Sequence, residues 1–145
     1  MRRRAAAGLA IAALAGAALG ACGEADEPAA PRATSAAVEL NVLYDDGSGR
    51  KTTGALTCRG TESRATGALE GRGASPEKLC EQARGNAELL TTKPDKGRTC
   101  TQVYGGPETA LVTGTIGAEK VDRRFTRTNG CEIADYARAS GLLQP

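Results

Sequence analysis

The cysteines constrain the fold of this chain more than any other residue type. The 145 residues contain five cysteines and no histidine. Four of the cysteines lie 22, 20 and 31 residues apart without a C-x-x-C pair, at Cys58, Cys80, Cys100 and Cys131. A zinc site is the alternative, but it normally uses clustered Cys and His ligands. In an oxidising compartment the four cysteines predict two disulfides, with three pairings open.

The first 21 residues predict export into such a compartment. Arginines 2–4 are followed by an alanine-rich apolar run over residues 5–19, which is too short to be a typical membrane-spanning helix. Leu19-Gly20-Ala21-Cys22 resembles the bacterial lipobox, in which the cysteine becomes lipid-linked and begins the mature protein. We therefore expect a lipoprotein signal peptide over residues 1–21 and an anchor on the outer face of the bacterial membrane, or secretion if the chain is released. An ordinary cleaved signal is the alternative, and twin-arginine export stays open.

Composition divides the remaining chain into a tether and one domain. Residues 22–36 are rich in Pro, Ala and acids and lack apolar periodicity, which predicts a flexible tether. Residues 37–145 are enough for one small domain. With one Phe, three Tyr and no Trp in the chain, its core is thin, so disulfides would contribute much to its stability.

Charge argues against nucleic acid as a partner. Without the three arginines of the leader, 16 basic and 17 acidic residues remain, so the mature chain is nearly neutral. The one basic cluster is Lys120, Arg123, Arg124 and Arg127, with few aromatic residues near it. We expect this cluster to be a solvated face of a strand.

Hydrophobic periodicity predicts an α+β domain. The alternation of Val38, Leu40, Val42 and Tyr44 indicates a half-buried strand, and residues 51–58 return as its hairpin partner after a turn. The glycine-rich residues 59–74 are expected to form a surface loop. A helix is predicted from Ser75 and Pro76, with Gly85 weakening its middle. Two or three strands follow, including residues 109–116 and 120–127, and then a helix over residues 131–139 that Gly141 ends. The expected fold is an antiparallel sheet of about five strands with two helices on one face.

Read with its cysteines, the second half of the chain resembles the subtilisin inhibitor-like family. The matching residues, in chain order, are Cys100, Val103-Tyr104, Pro107, Val112-Thr113-Gly114, Val121 and Asn129-Gly130-Cys131-Glu132. Leu56-Thr57-Cys58 and the spacing from Cys80 to Cys100 match as well, so the resemblance covers most of residues 38–135. It implies the pairings Cys58–Cys80 and Cys100–Cys131, a five-stranded antiparallel sheet with two helices, and a homodimer packed through the sheet.

The resemblance also implies a substrate-like reactive loop. Gln102 takes the reactive position P1, and the scissile bond is Gln102-Val103. The remaining loop residues are Thr99, Cys100, Thr101 and Tyr104, and Asn129 supports the loop. The chain differs from the family pattern at Gln102, at Thr101 in place of proline, and in the extra residue of Gly105-Gly106. A neutral P1 side chain favours an extracellular subtilisin-like protease as the partner.

Other classes of function have less support in the sequence. A surface lipoprotein that keeps the inhibitor fold but binds something else is the alternative. Catalysis is disfavoured because the chain has no His, no free thiol after lipidation and no G-x-S-x-G motif. No cofactor or metal is expected.

Overall fold

The computed structural model of the protein describes residues 36–71 and 73–143. The predicted signal peptide, Cys22 and nearly all of the tether lie outside these residues. No helix within the described ranges is long and apolar enough to cross a membrane.

Five antiparallel strands form one sheet in the order β3-β2-β1-β4-β5. The predicted α+β class is therefore confirmed. The elements in chain order are β1 Val38–Asp45, β2 Lys51–Arg59, β3 Glu62–Gly67, α1 Pro76–Gly85, α2 Ala87–Thr91, β4 Thr109–Ile116, β5 Glu119–Phe125, α3 Gly130–Arg138 and α4 Ser140–Leu143.

Strand β1 lies at the centre of the sheet and has two distinct ends. At its start, Val38 pairs with Cys58 on one side and Ile116 on the other; at its end, Asp45 pairs with Lys51 and Thr109. The chain is held just before β1, where Arg84 Nε donates to Ala36 O at 2.9 Å and Gly117 N donates to Ala37 O at 2.7 Å. Val38, Leu40 and Val42 are buried, as their alternation predicted.

The prediction of a plain surface loop over residues 59–74 was wrong, because the stretch contains strand β3. This edge strand pairs with β2 from Gly54–Gly67 to Arg59–Glu62. Its sequence ESRATG buries only Ala65 and is otherwise polar, so the sheet's own hydrogen bonds define it rather than a hydrophobic pattern. The fifth strand thus precedes α1, and only β4 and β5 follow it.

The helices cover one face of the sheet, and α1 begins as predicted. Ser75 caps α1 by accepting a hydrogen bond from Lys78 N, with Pro76 as the first helical residue. Gly85 ends α1 instead of weakening its middle, and α2 follows after Asn86.

The prediction that Gly141 ends the last helix was also wrong. Helix α3 stops at Arg138, and Gly141 lies inside α4, whose Leu142 and Leu143 are buried. The end of the Gln82 side chain of α1 lies where a Cβ on Gly141 would be, so α4 packs close to α1 at this point.

Two disulfides link helices to other parts of the domain, with the pairing that the resemblance implied. Cys58–Cys80 joins β2 to α1 inside the core, where both residues are at least 98% buried. Cys100–Cys131 joins the segment before β4 to the first turn of α3, and both of its cysteines are partly exposed. The first disulfide lies in the core, and the second fastens a surface segment.

Candidate functional site

The predicted reactive segment is an exposed loop. Residues 99–106 contain neither helix nor strand, and residues 99 and 101–104 are exposed. Val103 is 54% exposed and Tyr104 is 65% exposed, and they are the exposed large hydrophobic residues among those that the structure describes. Exposed apolar side chains on a loop indicate a contact surface more than a packing role.

The start of the loop is fastened to α3. The disulfide brings the Cα atoms of Cys100 and Cys131 to 5.4 Å. Gly130 N donates a hydrogen bond to Thr101 O at 3.0 Å. A Cβ on Gly130 would collide with Thr101 Oγ1, so the glycine before Cys131 allows the loop backbone to approach the helix.

The end of the loop is fastened to the segment that follows β5. Gly105 N donates to Arg127 O at 2.8 Å. A Cβ on Gly105 would lie 2.8 Å from Ile133 Cγ1 and 3.3 Å from Arg127 Cβ. Arg127 Nη1 also forms an ion pair with Glu108 Oε1 at 3.1 Å. Gly105 thus allows the end of the loop to pack closely against Ile133 and Arg127.

Only three residues lie between the two backbone hydrogen bonds. Gln102, Val103 and Tyr104 span from the fixed carbonyl of Thr101 to the fixed amide of Gly105, and all three are exposed. The Gln102-Val103 bond lies within this short span. The structure thus brings the predicted loop residues together on one surface.

Asn129 acts through the helix that carries Cys131. Its side-chain oxygen accepts from Glu132 N at 3.0 Å and caps α3, and the neighbouring Gly130 makes the direct backbone bond to the loop. Glu132 accepts hydrogen bonds from the hydroxyls of Thr126 and Thr128, which lower the pKa of its carboxyl group, Thr126 contributing most. These bonds hold the segment after β5 against α3.

A buried cluster of charges next to the loop was not predicted. Asp135 on α3 accepts from Arg98 Nη2 at 2.8 Å and from Arg123 Nη2 at 3.0 Å, both at Oδ2. The side chains of Arg123 and Asp135 are only 7% and 9% exposed, and that of Arg98 is 35% exposed. The bond to Asp135 raises the pKa of Arg98, whereas burial lowers the pKa of Arg123. The basic cluster is therefore not wholly solvated: Lys120 and Arg124 are exposed, but Arg123 is buried.

Two spacings in the sequence could have indicated this cluster. Arg123 alternates with Val121 and Phe125 on the buried face of β5. Asp135 follows Cys131 by four residues, which places the two on one side of α3. A basic side chain on a buried strand face needs an acidic partner, and helix α3 offers one.

The described residues contain no group of three or more His, Cys, Asp or Glu that could hold a metal ion. No protein-family model matches the chain, and no curated protein matches it either.

Proposed function

We propose that this chain is an exported inhibitor of extracellular serine proteases, of the subtilisin inhibitor-like type, and not an enzyme. The observation that carries the proposal is the exposed span of Gln102, Val103 and Tyr104 between two fixed backbone hydrogen bonds. A serine protease binds a peptide as an added strand, with alternate side chains in its pockets. A loop already held at both ends loses less conformational entropy on binding than a free peptide.

The anchors also explain why cleavage would not release the loop. Attack of the enzyme's serine on the Gln102 carbonyl breaks the bond to Val103, leaving an acyl-enzyme and a new amino group on Val103. The acyl half stays joined to α3 through Cys100–Cys131, and the amine half stays joined to Arg127 through Gly105. The amine therefore remains beside the acyl-enzyme and can displace the serine to reform the peptide bond.

The side chain of Gln102 favours subtilisin-like targets. It is neutral and of medium length, so it suits a broad and largely apolar pocket. A pocket with a buried aspartate would be left with an unpaired charge, a strong penalty for binding. The partner in this proposal is therefore a subtilisin-like protease rather than a trypsin-like one.

Export, lipid attachment through Cys22 and a homodimer belong to the same proposal. Leu43 and Leu111 are paired across β1 and β4 on the sheet face without helices, and both are only partly buried. A second copy packed on this face would cover them.

The test is a titration of subtilisin and of trypsin with the chain from residue 22 onward, carrying Cys22→Ser to keep it soluble. We expect inhibition of subtilisin and little inhibition of trypsin. Gln102→Lys should add trypsin inhibition, and Gln102→Pro should abolish inhibition of subtilisin. Thr61→Lys, an exposed change in the turn between β2 and β3, is the control for an added lysine.

Long incubation with a trace of subtilisin should cut the chain first at Gln102-Val103, with the two pieces joined by Cys100–Cys131. If the folded, oxidised chain inhibits neither enzyme and is not cut first at that bond, the inhibitor proposal is wrong. A surface lipoprotein with another binding role would then replace it.

A further inference from the structure

The segment before the reactive loop touches α3 at two successive turns of the helix. Cys100 is bonded to Cys131, and Arg98, two residues earlier, is paired with Asp135, four residues later. Residues four apart on a helix lie on one side, with Cβ atoms about 5–6 Å apart. The two contacts therefore run along one side of α3, one covalent and one ionic.

The disulfide and the Gly130–Thr101 hydrogen bond both attach the loop start at the first turn of α3. Attachment at a single turn still lets the segment pivot, and a pivot would carry the Gln102-Val103 bond out of place. A second contact one helical turn away removes that freedom. The guanidinium of Arg98 suits this task because its Nη1 and Nη2 reach both oxygens of Asp135, at 3.4 and 2.8 Å.

Arg123 fixes the other side of Asp135. Its Nε donates to Leu89 O at 3.2 Å and its Nη2 to Asp135 Oδ2 at 3.0 Å, so its planar group is held between α2 and α3. Because Arg123 neutralises the buried carboxylate, Asp135 stays paired when Arg98 is removed. The contact to Arg98 can thus be removed without leaving the buried Asp135 carboxylate unpaired.

We propose that Arg98 is a positioning residue that orients the reactive loop by pairing with Asp135, which Arg123 holds in place. The inference rests on the proposed inhibitor function for its effect on proteases. Its effect on the loop itself is separate and is measured without any enzyme.

The amide of Gly130 reports the position of the loop directly. Gly130 is the first residue of α3, where a backbone N–H has no partner within the helix, and its partner here is Thr101 O of the loop. Hydrogen exchange at this amide therefore follows the docking of the loop start. The Gly105 amide, bonded to Arg127 O, follows the loop end.

The experiment compares Arg98→Met, Arg98→Lys and wild type in the soluble chain from residue 22 with Cys22→Ser. In Arg98→Met we expect exchange at Gly130 and subtilisin cleavage at Gln102-Val103 each to accelerate about tenfold, with a similar rise in the inhibition constant. Exchange in β1 should stay unchanged, and Arg98→Lys should fall between. Arg59→Met is the matched control, since it breaks the exposed pair between Arg59 and Glu39 on β2 and β1.

Unchanged exchange at Gly130 and unchanged cleavage in Arg98→Met would overturn the proposal. Equal acceleration at Gly130 and at the β1 amides would overturn it too, because Arg98 would then act on overall stability alone. If the wild-type chain inhibits no protease, the proposed inhibitor function is wrong. Hydrogen exchange at the Gly130 amide in Arg98→Met would still show whether Arg98 orients the loop.

Discussion

The two disulfides should separate stability from inhibition when each is removed. The bridge Cys58–Cys80 spans 22 residues and Cys100–Cys131 spans 31. The loss of chain entropy in the unfolded state gives about 3.4 kcal/mol for the first bridge and about 3.7 kcal/mol for the second. On entropy alone the two would matter equally.

Burial breaks that equality. Cys58 and Cys80 are 1% and 2% exposed, so replacing both with alanine also removes buried sulfur, worth about 1 kcal/mol for each residue. The total loss for this pair is about 5 kcal/mol, which is a large part of the about 5–15 kcal/mol that stabilises a small domain. The partly exposed pair Cys100 and Cys131 should lose little beyond the entropy, or about 4 kcal/mol.

Inhibition should follow the opposite order. The double variant Cys100→Ala/Cys131→Ala loses the covalent attachment of the loop, so it should be cleaved by subtilisin as an ordinary substrate and should no longer inhibit. The variant Cys58→Ala/Cys80→Ala should inhibit nearly as wild type wherever it is folded, because its loop anchors are intact.

The assay is urea unfolding at 25 °C together with inhibition at a temperature where circular dichroism shows both variants folded. Both variants are made in the chain from residue 22 with Cys22→Ser, so neither contains a free thiol that could exchange with the remaining disulfide. Full inhibition by the folded Cys100→Ala/Cys131→Ala variant would refute the argument that this bridge holds the loop. Equal loss of inhibition in both variants would refute it as well.

Three further predictions concern single residues. Gly105→Ala should lower the free energy of unfolding in urea by about 1–2 kcal/mol, because the new Cβ meets Ile133 at 2.8 Å, and it should speed cleavage of the loop. The control is Gly85→Ala, where the new Cβ has open space around it. Similar effects of the two substitutions would contradict the close contact at Gly105. Glu132→Gln should destabilise the domain at pH 7, because the pKa of the Glu132 carboxyl is lowered in the folded state. The difference in stability from wild type should shrink as the pH falls from 4.5, the ordinary value, through the lowered pKa, where the carboxylate is protonated. A difference that does not change with pH would contradict this. Cys22→Ser should release the exported chain from membranes or leave its precursor uncut, and unchanged partitioning with unchanged mass would rule out the lipid anchor.

Residue patterns predicted the parts of the fold that hydrophobic periodicity defines. The alternation in β1 and the cap and proline at the start of α1 fixed the position of those elements. Strand β3 was missed because an edge strand with one buried side chain has no such period. Helix α3 was predicted to within one residue, but α4 was missed because burial of Leu142 and Leu143 holds it, and packing is not visible in local sequence.

In the candidate site, too, some residues could be predicted from local sequence and others could not. The loop residues and the bridge between Cys100 and Cys131 were expected because a motif carries them. The pairing of Arg98 with Asp135 was not, since two residues 37 positions apart meet only after α3 docks on the sheet. A charge on a buried strand face was the available clue.

The direction of β1 places the entry of the chain and the loop at opposite ends of the domain. The chain enters the domain at the Val38 end, where Ala36 and Ala37 are held, while Thr109, just after the loop, pairs with Asp45 at the other end. An eight-residue strand separates these ends by about 23 Å. If lipid on Cys22 holds the chain, the flexible tether joins the end of the domain opposite the proposed reactive loop. The loop would then lie clear of the attachment point, so a soluble protease could bind it without displacing the tether.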